Sequence, residues 1–405
     1  MLILKIIKVK NRQDRKEFIQ LPRKLYFDYP LWVPPLSHEI KAVLKSKSSQ
    51  LLANGPHDFF VAKDGNAVKG RIAVGIEQVM NREKSVEHAY FTLFESVNDK
   101  QVAEALLRTA ESWAKSKGMK YLKGPVSPTN GDDYRGLLID NFEDPPAVMM
   151  PYNPSYYVDF FEDFDIYLKY LAFRYDLDQV ISEREIKFSE IAMDRYGFHV
   201  EEANFKRLKE VAADLQKIME EAIPKWEEDV LPPTFEELFD MAKTLKTVAD
   251  QRMVIIARSG ERPIGYFVAL PDFSPLIREI DGKLLPFGWY KLLSKRKSLE
   301  RVRAAILFVV PDFRNKGVPT AMFLRAYRNI QNMGFKEIEG SSISSMNATM
   351  IANARRAGGE EYKHYIVYGK SLLKRPLSLS EIYGIAASKF VPKVQQTPET
   401  VLQRI

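Results

Sequence analysis

Arg314-Asn315-Lys316-Gly317-Val318-Pro319-Thr320 is where residue type and spacing in this chain point most directly to chemistry. Two cations precede a glycine, and a helical apolar pattern begins at Pro319. Free N–H groups at a helix N-terminus, with the macrodipole behind them, hold a phosphate without needing a charged side chain. Arg314 and Lys316 add positive charge, and Gly317 lets the backbone approach a ligand closely. The same residues also suit an ordinary strand-to-helix turn with solvated basic side chains.

The elements that must position this turn are legible on both sides. Ala304 to Val310 is apolar and β-branched-rich, so it reads as a buried strand that includes Val309 and Val310 and ends at Pro311-Asp312. Met322, Phe323, Ala326, Tyr327 and Ile330 recur at helical spacing, with Pro319 near the first helical position and Gly334 just past the end. Lys336 to Ile343 reads as a second strand. Asn347 opens a helical segment closed by Gly358-Gly359, and Tyr362 to Tyr368 returns as a strand.

Val310-Pro311 followed by Arg314-x-x-Gly317-x-Pro319 resembles the acyl-CoA-binding motif of the GNAT N-acyltransferases, (Arg/Gln)-x-x-Gly-x-(Gly/Ala) between a strand and a helix. The resemblance implies that the amides from Asn315 to Thr320, including Lys316, Gly317, Val318 and Pro319, cradle a CoA pyrophosphate beside Val309, Val310 and Arg314. It departs at Pro319, where proline removes one donor and makes pyrophosphate binding weaker or differently arranged. It also implies that Asn347 lies near the pantetheine. Seven residues later the family often carries a tyrosine that protonates the departing thiolate; here that position is Ala354. Tyr362, Tyr365 and Tyr368 are the available substitutes.

An internal repeat extends the argument to the whole chain. Ala62-Lys63-Asp64-Gly65 and Gly70 match Ala257-Arg258-Ser259-Gly260 and Gly265, and Lys117 to Gly124 matches Met333 to Gly340. A long-period match in the same element order argues for a duplicated domain. In the N-terminal copy Arg314 corresponds to Asn98, Lys316 to Lys100 and Gly317 to Gln101, so that copy has lost the arginine and the glycine. The expected fold is α/β: two tandem GNAT-like domains, each a twisted mixed sheet flanked by helices. The first spans 1–180 with its CoA motif degraded, 181–197 is a linker, 198–375 carries the motif, and 376–405 is an extension. The chain also resembles an uncharacterised bacterial family that carries DYPLWVPPL, here Asp28 to Leu36, and MMPYNPSYY, here Met149 to Tyr157.

Composition narrows the chemistry. The 405 residues are 45% hydrophobic and 28% charged, as in a globular protein. The absence of cysteine excludes disulfides, thiol nucleophiles and cysteine-ligated zinc, and five scattered histidines give no metal-ligand spacing, so no metal is expected. A net charge of +7 suits CoA phosphates, anionic lipid headgroups or nucleic acid, and nucleic acid is disfavoured because no recognition motif accompanies it. No apolar run reaches the ~18 residues of a transmembrane helix. MLILKIIKVK is too short and too soon charged for a signal peptide, so a cytoplasmic location is expected.

Two insertions interrupt the repeat, and inserted loops are where function tends to sit. One follows Gly124; it holds Arg135 among Asp132, Asp133 and Asp140, and then Tyr152 and Asn153 in a tyrosine-rich cluster. It reads as a binding wall or as a loop packed by its own tyrosines. The other, Leu284 to Arg301, sets Trp289 and its apolar neighbours before Lys295-Arg296-Lys297. It reads as a peripheral membrane contact or as a helix packed on its own domain.

The resulting expectation is an N-acyltransferase that moves an acyl group from acetyl-CoA or a longer acyl-CoA to a primary amine, a lipid or long-chain amine being one candidate. Bacterial GNAT-like proteins similar to this chain are associated with N-acylated sphingolipids. Such an enzyme needs positioning, a base and thiolate stabilisation. Glu337 and Glu339 alternate with Ile338 and share one face of their strand; His364 is the other base candidate, and Tyr365 an acid candidate. Two alternatives stand beside this: a catalytically degenerate CoA-binding or interaction protein, and an aminoacyl-tRNA-dependent transferase, which would bind RNA with a steep salt dependence.

Overall fold

The computed structural model describes residues 4–45, 52, 54–129, 133–178, 183–223 and 233–384. Asp132 and the extension beyond 384 therefore lie outside the described residues. Thirteen strands form one mixed sheet: β1 Leu4–Lys8, β2 His57–Asp64, β3 Ala67–Gly75, β4 His88–Ser96, β5 Tyr121–Gly124, β6 Leu137–Leu138, β7 Asp165–Asp176, β8 His199–Glu202, β9 Val254–Ser259, β10 Arg262–Pro271, β11 Arg301–Val309, β12 Glu337–Ser344 and β13 Glu360–Ser371. The spatial order is β1-β2-β3-β4-β5-β13-β7-β12-β11-β10-β9-β8, with β6 on β13.

The duplication read from sequence is visible in this order. The hairpins β2–β3 and β9–β10 each lead to an antiparallel neighbour, β4 or β11. A helix then crosses over, Lys100–Ser116 in one half and Val318–Asn332 in the other, and returns a parallel strand, β5 or β12. Each crossover helix packs through an apolar stripe: Val102, Ala103, Leu106, Ala110 and Trp113 in the first, Ala321, Met322, Ala326, Tyr327 and Ile330 in the second. Period-3.6 patterning buries these faces, and in the second it is also what made the helix readable.

The centre of the sheet departs from a simple tandem. β7, which follows the first half in sequence, pairs with β12 of the second. β13, which closes the second half, pairs with β5 of the first and with β7. Both long strands carry a buried apolar stretch, Tyr170–Phe173 in β7 and Tyr365–Tyr368 in β13, and a central position covers it on both faces. The segment read as a linker contains the helix Glu183–Tyr196, which packs against the helix Val318–Asn332.

Candidate active site

β11 and β12 pair for only four residues, Arg301 with Glu337 through Ala304 with Gly340. Both strands then continue, to Val309 and Ser344, without pairing to each other. The cause lies on the other side of β11. Val268 of β10 pairs with Ile306 and Ala269 with Ala304, so Ala305 is the extra residue of a β-bulge that bends the strand where the parallel pairing ends. A cleft opens there in the middle of the sheet, and Ile306, Leu307 and Phe308 are only half-buried on an interior strand. Strand edges exposed in this way can hydrogen-bond an extended, amide-bearing ligand.

At the far end of β11 stands the turn singled out from sequence. Gly317 caps the helix Val318–Asn332 with φ +80°, a conformation that costs glycine little. A Cβ at Gly317 would lie 2.8 Å from the Cβ of Ala192, so the position also requires glycine for space. Asn315 is left-handed too, at φ 62°. The two cations have local partners. Arg314 donates from Nη2 to the Ala222 carbonyl (2.6 Å), at the end of the helix Leu208–Ala222, and from Nε to the Val309 carbonyl (3.3 Å). Lys316 Nζ lies 4.6 Å from the Phe313 ring centroid and 5.6 Å from that of Tyr196. The two side chains are thus engaged locally, while residues 315–320, apart from the buried Val318, are at least partly exposed at a helix N-terminus, where backbone amides can hold an anion. Pro319 falls in the first turn of the helix, where its missing N–H breaks no helical hydrogen bond.

The matching place in the N-terminal half is filled. Phe161 stacks on Phe91 of β4 (5.8 Å) and on Tyr368 of β13 (4.8 Å), and Phe94 packs against Tyr157, Phe160 and Phe161. At the helix that follows, Asp99 is the cap, and its carboxylate accepts from the Gln101 amide (2.9 Å). An aspartate there takes the place a phosphate would need and repels it.

On one side of the open cleft lies a buried polar network. Glu339 has no exposed surface; it accepts from Ser341 Oγ (2.7 Å) and from the Tyr362 hydroxyl, and Arg301 Nη1 is 3.8 Å away. Arg301 is anchored by the buried Asp272, and Arg303 donates to Ser341 and to the Val148 carbonyl (3.2 Å). Glu337 shares this face but is half-exposed. Burial raises its pKa against the pull of Arg301 and Arg174. Tyr365 is enclosed, its hydroxyl has no hydrogen-bond partner among the described residues, and burial with the Glu339 charge nearby holds its proton on.

Other sequence candidates have structural work. His364 is clamped, Nδ1 to Asp140 (2.5 Å) and Nε2 to Glu361 (2.8 Å), and the Asp140 hydrogen bond raises its pKa against the effect of burial. With both ring nitrogens engaged it ties β13 to the inserted loop and is poorly placed to accept a proton. Asn153, read as a substrate contact, spends its amide on the Leu138 backbone (2.8 and 3.0 Å) and on the Pro154 carbonyl. Asn347 caps the helix Ala348–Arg356 by accepting from the Met350 amide (3.0 Å). Arg135 is buried and donates to Tyr170 (2.9 Å), in the wall of a pocket between Glu77, Lys123 and Val367. Tyr152 is half-buried and donates to the Phe142 carbonyl (3.3 Å). Trp289 is exposed at the surface and donates to the Pro286 carbonyl (3.1 Å).

Sequence reading missed Arg301, Arg303 and the pairing of Tyr362 with Glu339. The signal was present: Arg301 and Arg303 alternate with apolar Val302 as Glu337 and Glu339 alternate with Ile338. Opposite charges at period two on neighbouring strands belong on one face.

No protein-family model matches the sequence. Over 383 residues the chain is 29% identical to a protein of Caulobacter vibrioides named bacterial ceramide synthase, covering 91% of this chain and 98% of that one. It is 28% identical over 379 residues to protein YghO of Escherichia coli K12, covering 89% and 94%. Among solved structures, a tandem GNAT protein from the clavulanic acid biosynthesis pathway matches with a TM-score of 0.53 at 12% identity, over 92% of this chain and 100% of that one. A GCN5-related N-acetyltransferase from Sphaerobacter thermophilus matches with a TM-score of 0.50 at 13% identity, over 92% and 96%. The central splay, the glycine-capped crossover helix and the doubled element order agree with these likenesses: the chain has the fold of the tandem GNAT proteins.

Proposed function

We propose that the chain is an acyl-CoA-dependent N-acyltransferase with one working site, in its C-terminal half, and a long-chain amine as acceptor. The observation that carries this is the contrast between the halves: the β11–β12 cleft is open and leads to a glycine-capped helix N-terminus, whereas aromatic rings and an aspartate cap fill the other. An open cleft of this kind fits an extended thioester arm, with its diphosphate at the amides of residues 315–320. The amine then attacks the thioester carbon beside Glu339, which takes its proton directly or through water.

Two observations favour a lipid acceptor. The likeness to a protein named ceramide synthase spans nearly the full length of both chains. The second insertion also forms a surface of exposed apolar side chains: Leu285 is 79% and Phe287 73% exposed, with Trp289, Tyr290 and Leu293 beside them. Lys283, Lys291, Lys295 and Lys297 are exposed in the same segment, Lys283 paired with Asp281 and Lys291 and Lys295 with Glu279. Exposed aromatics beside lysines suit the headgroup region of an anionic bilayer, where a long-chain amine resides.

The test is a thermal-shift titration with CoA, acetyl-CoA and palmitoyl-CoA, followed by turnover on long-chain and short amines. A ligand that binds only the folded state raises the melting temperature. Thr320→Glu is the companion variant, because a carboxylate in the first helical turn favours the helix yet repels a diphosphate. The expected result is stabilisation by a CoA species, lost in Thr320→Glu, and amide formation on the long-chain amine. No shift with any CoA species would overturn the reading. CoA binding without turnover on any amine would favour a non-catalytic role.

A further inference from the structure

Where the resemblance expects an acid, the chain has Ala354, a buried methyl facing the sheet. The space beside that methyl is occupied. Tyr175 of β7, opposite Ile338 in the register, leans over Gly340. A Cβ at Gly340 would lie 3.4 Å from Tyr175 Cε2 and 4.0 Å from its hydroxyl oxygen. Gly340 is the last residue of β12 paired to β11, so this ring stands at the base of the cleft. On its other side a Cβ at Gly359 would come within 2.8 Å of Cε1 and Cζ. Phe323, from the helix Val318–Asn332, covers the ring at 4.9 Å. Two glycines and an alanine thus leave room for one tyrosine delivered from the other half of the chain.

We propose that Tyr175 supplies the proton taken up by the departing thiolate, from β7 rather than from the helix Ala348–Arg356. This rests on the acyl-CoA reading given above. Glu339 and Gly340 are consecutive in a strand, so their side-chain directions are opposite. The face of Glu339 carries Tyr362, Ser341 and Arg301; the face of Gly340 carries Tyr175. A thioester reaching the end of the cleft has a base on one side and a hydroxyl on the other. The amine nitrogen bonds to the thioester carbon, the C–S bond breaks with its electron pair going to sulfur, and sulfur takes the phenolic proton. The proton released by nitrogen returns to the phenolate through Glu339 and water, leaving an amide and a thiol. The hydroxyl is available for this because its contact to the Ala354 carbonyl is long, at 3.5 Å.

The experiment uses full-length protein and palmitoyl-CoA with a long-chain amine. Tyr175→Phe keeps the ring and removes only the hydroxyl. We expect kcat to fall by about 100-fold, with KM for the acyl-CoA and the CoA-induced thermal shift unchanged. Tyr175→Ala/Ala354→Tyr, which moves the hydroxyl back to the helix, should recover at least a tenth of the wild-type rate, roughly. A Tyr175→Phe enzyme with wild-type kcat would overturn the proposal alone. So would a loss of kcat matched by a loss of CoA binding, since that would mark a purely structural ring. A wild type that binds no CoA would overturn the underlying reading and this proposal with it.

Discussion

On the proposed reading, Glu339 carries the heaviest chemical demand of any single residue. It is fully enclosed, yet two hydroxyls and Arg301 surround its carboxylate. Glu339→Gln keeps the shape and removes the proton acceptor, so kcat should fall by about 100- to 10,000-fold, the usual range for loss of a general base, in steady-state assays of thiol release. Glu337→Gln, at the half-exposed position two residues before, should cost far less; an equal loss in both would deny Glu339 a special role. His364 predicts a pH effect instead of a rate effect. Its hydrogen bond to Asp140 raises its folded pKa. The stabilisation is therefore fully present below the unfolded value of about 6.5 and is lost as pH rises through the higher folded value. Urea midpoints should fall, as pH rises above about 6.5, more steeply in wild type than in His364→Gln; parallel slopes would count against the clamp. At this scale the sequence was legible where local pattern decides, as for Gly317 or the shared face of Glu337 and Glu339. It was illegible where a distant partner decides: nothing near Asn153 announces the Leu138 backbone, and nothing near Tyr175 announces Gly340 and Gly359.

Among elements, the exchange of β7 and β13 sets how the chain must fold. β5 finds β13 only after the second half has been made, and β7 has β13 and β12 as neighbours, both from later in the chain. A fragment of residues 1–178 would leave β7 with neither neighbour and expose an apolar strand on both faces. It should therefore lack a cooperative melt, whereas the full chain should unfold in one transition by far- and near-ultraviolet circular dichroism. A fragment that melts sharply by itself would show that the halves are separable. The repeat, the hairpins and the crossover helices were readable because periodicity is local. The exchange was not, because an apolar run marks a strand without naming its neighbours. The cleft was hidden for the same reason: it depends on a bulge at Ala305, which is a property of pairing.

At the scale of the whole molecule, the cleft must be supplied with an amine that, on the proposed reading, sits in a membrane. Among the described residues no helix is long and apolar enough to cross one, so access has to come from a surface. The patch around the helix Gly288–Ser294 is tied to the N-terminal segment, since Ser37 donates to the Gly282 carbonyl (3.0 Å) and Arg23 pairs with Asp281. Phe27, 85% exposed, follows in that same segment. Sinking a fully exposed Leu or Phe into an apolar phase is worth about 1.5–3 kcal/mol each. Leu285→Asp/Phe287→Asp should therefore weaken cosedimentation with anionic vesicles by about 10- to 100-fold, since burial at the interface is partial. Binding should also weaken with salt and be weaker on zwitterionic vesicles, because the lysines of the same segment contribute through their charge. The CoA-induced thermal shift of the double variant should equal that of wild type, as neither residue borders the β11–β12 pairing. Unchanged vesicle binding would move the acceptor to a soluble amine and leave the cleft chemistry standing; loss of both binding and the thermal shift would mean that the insertion supports the fold instead of the membrane.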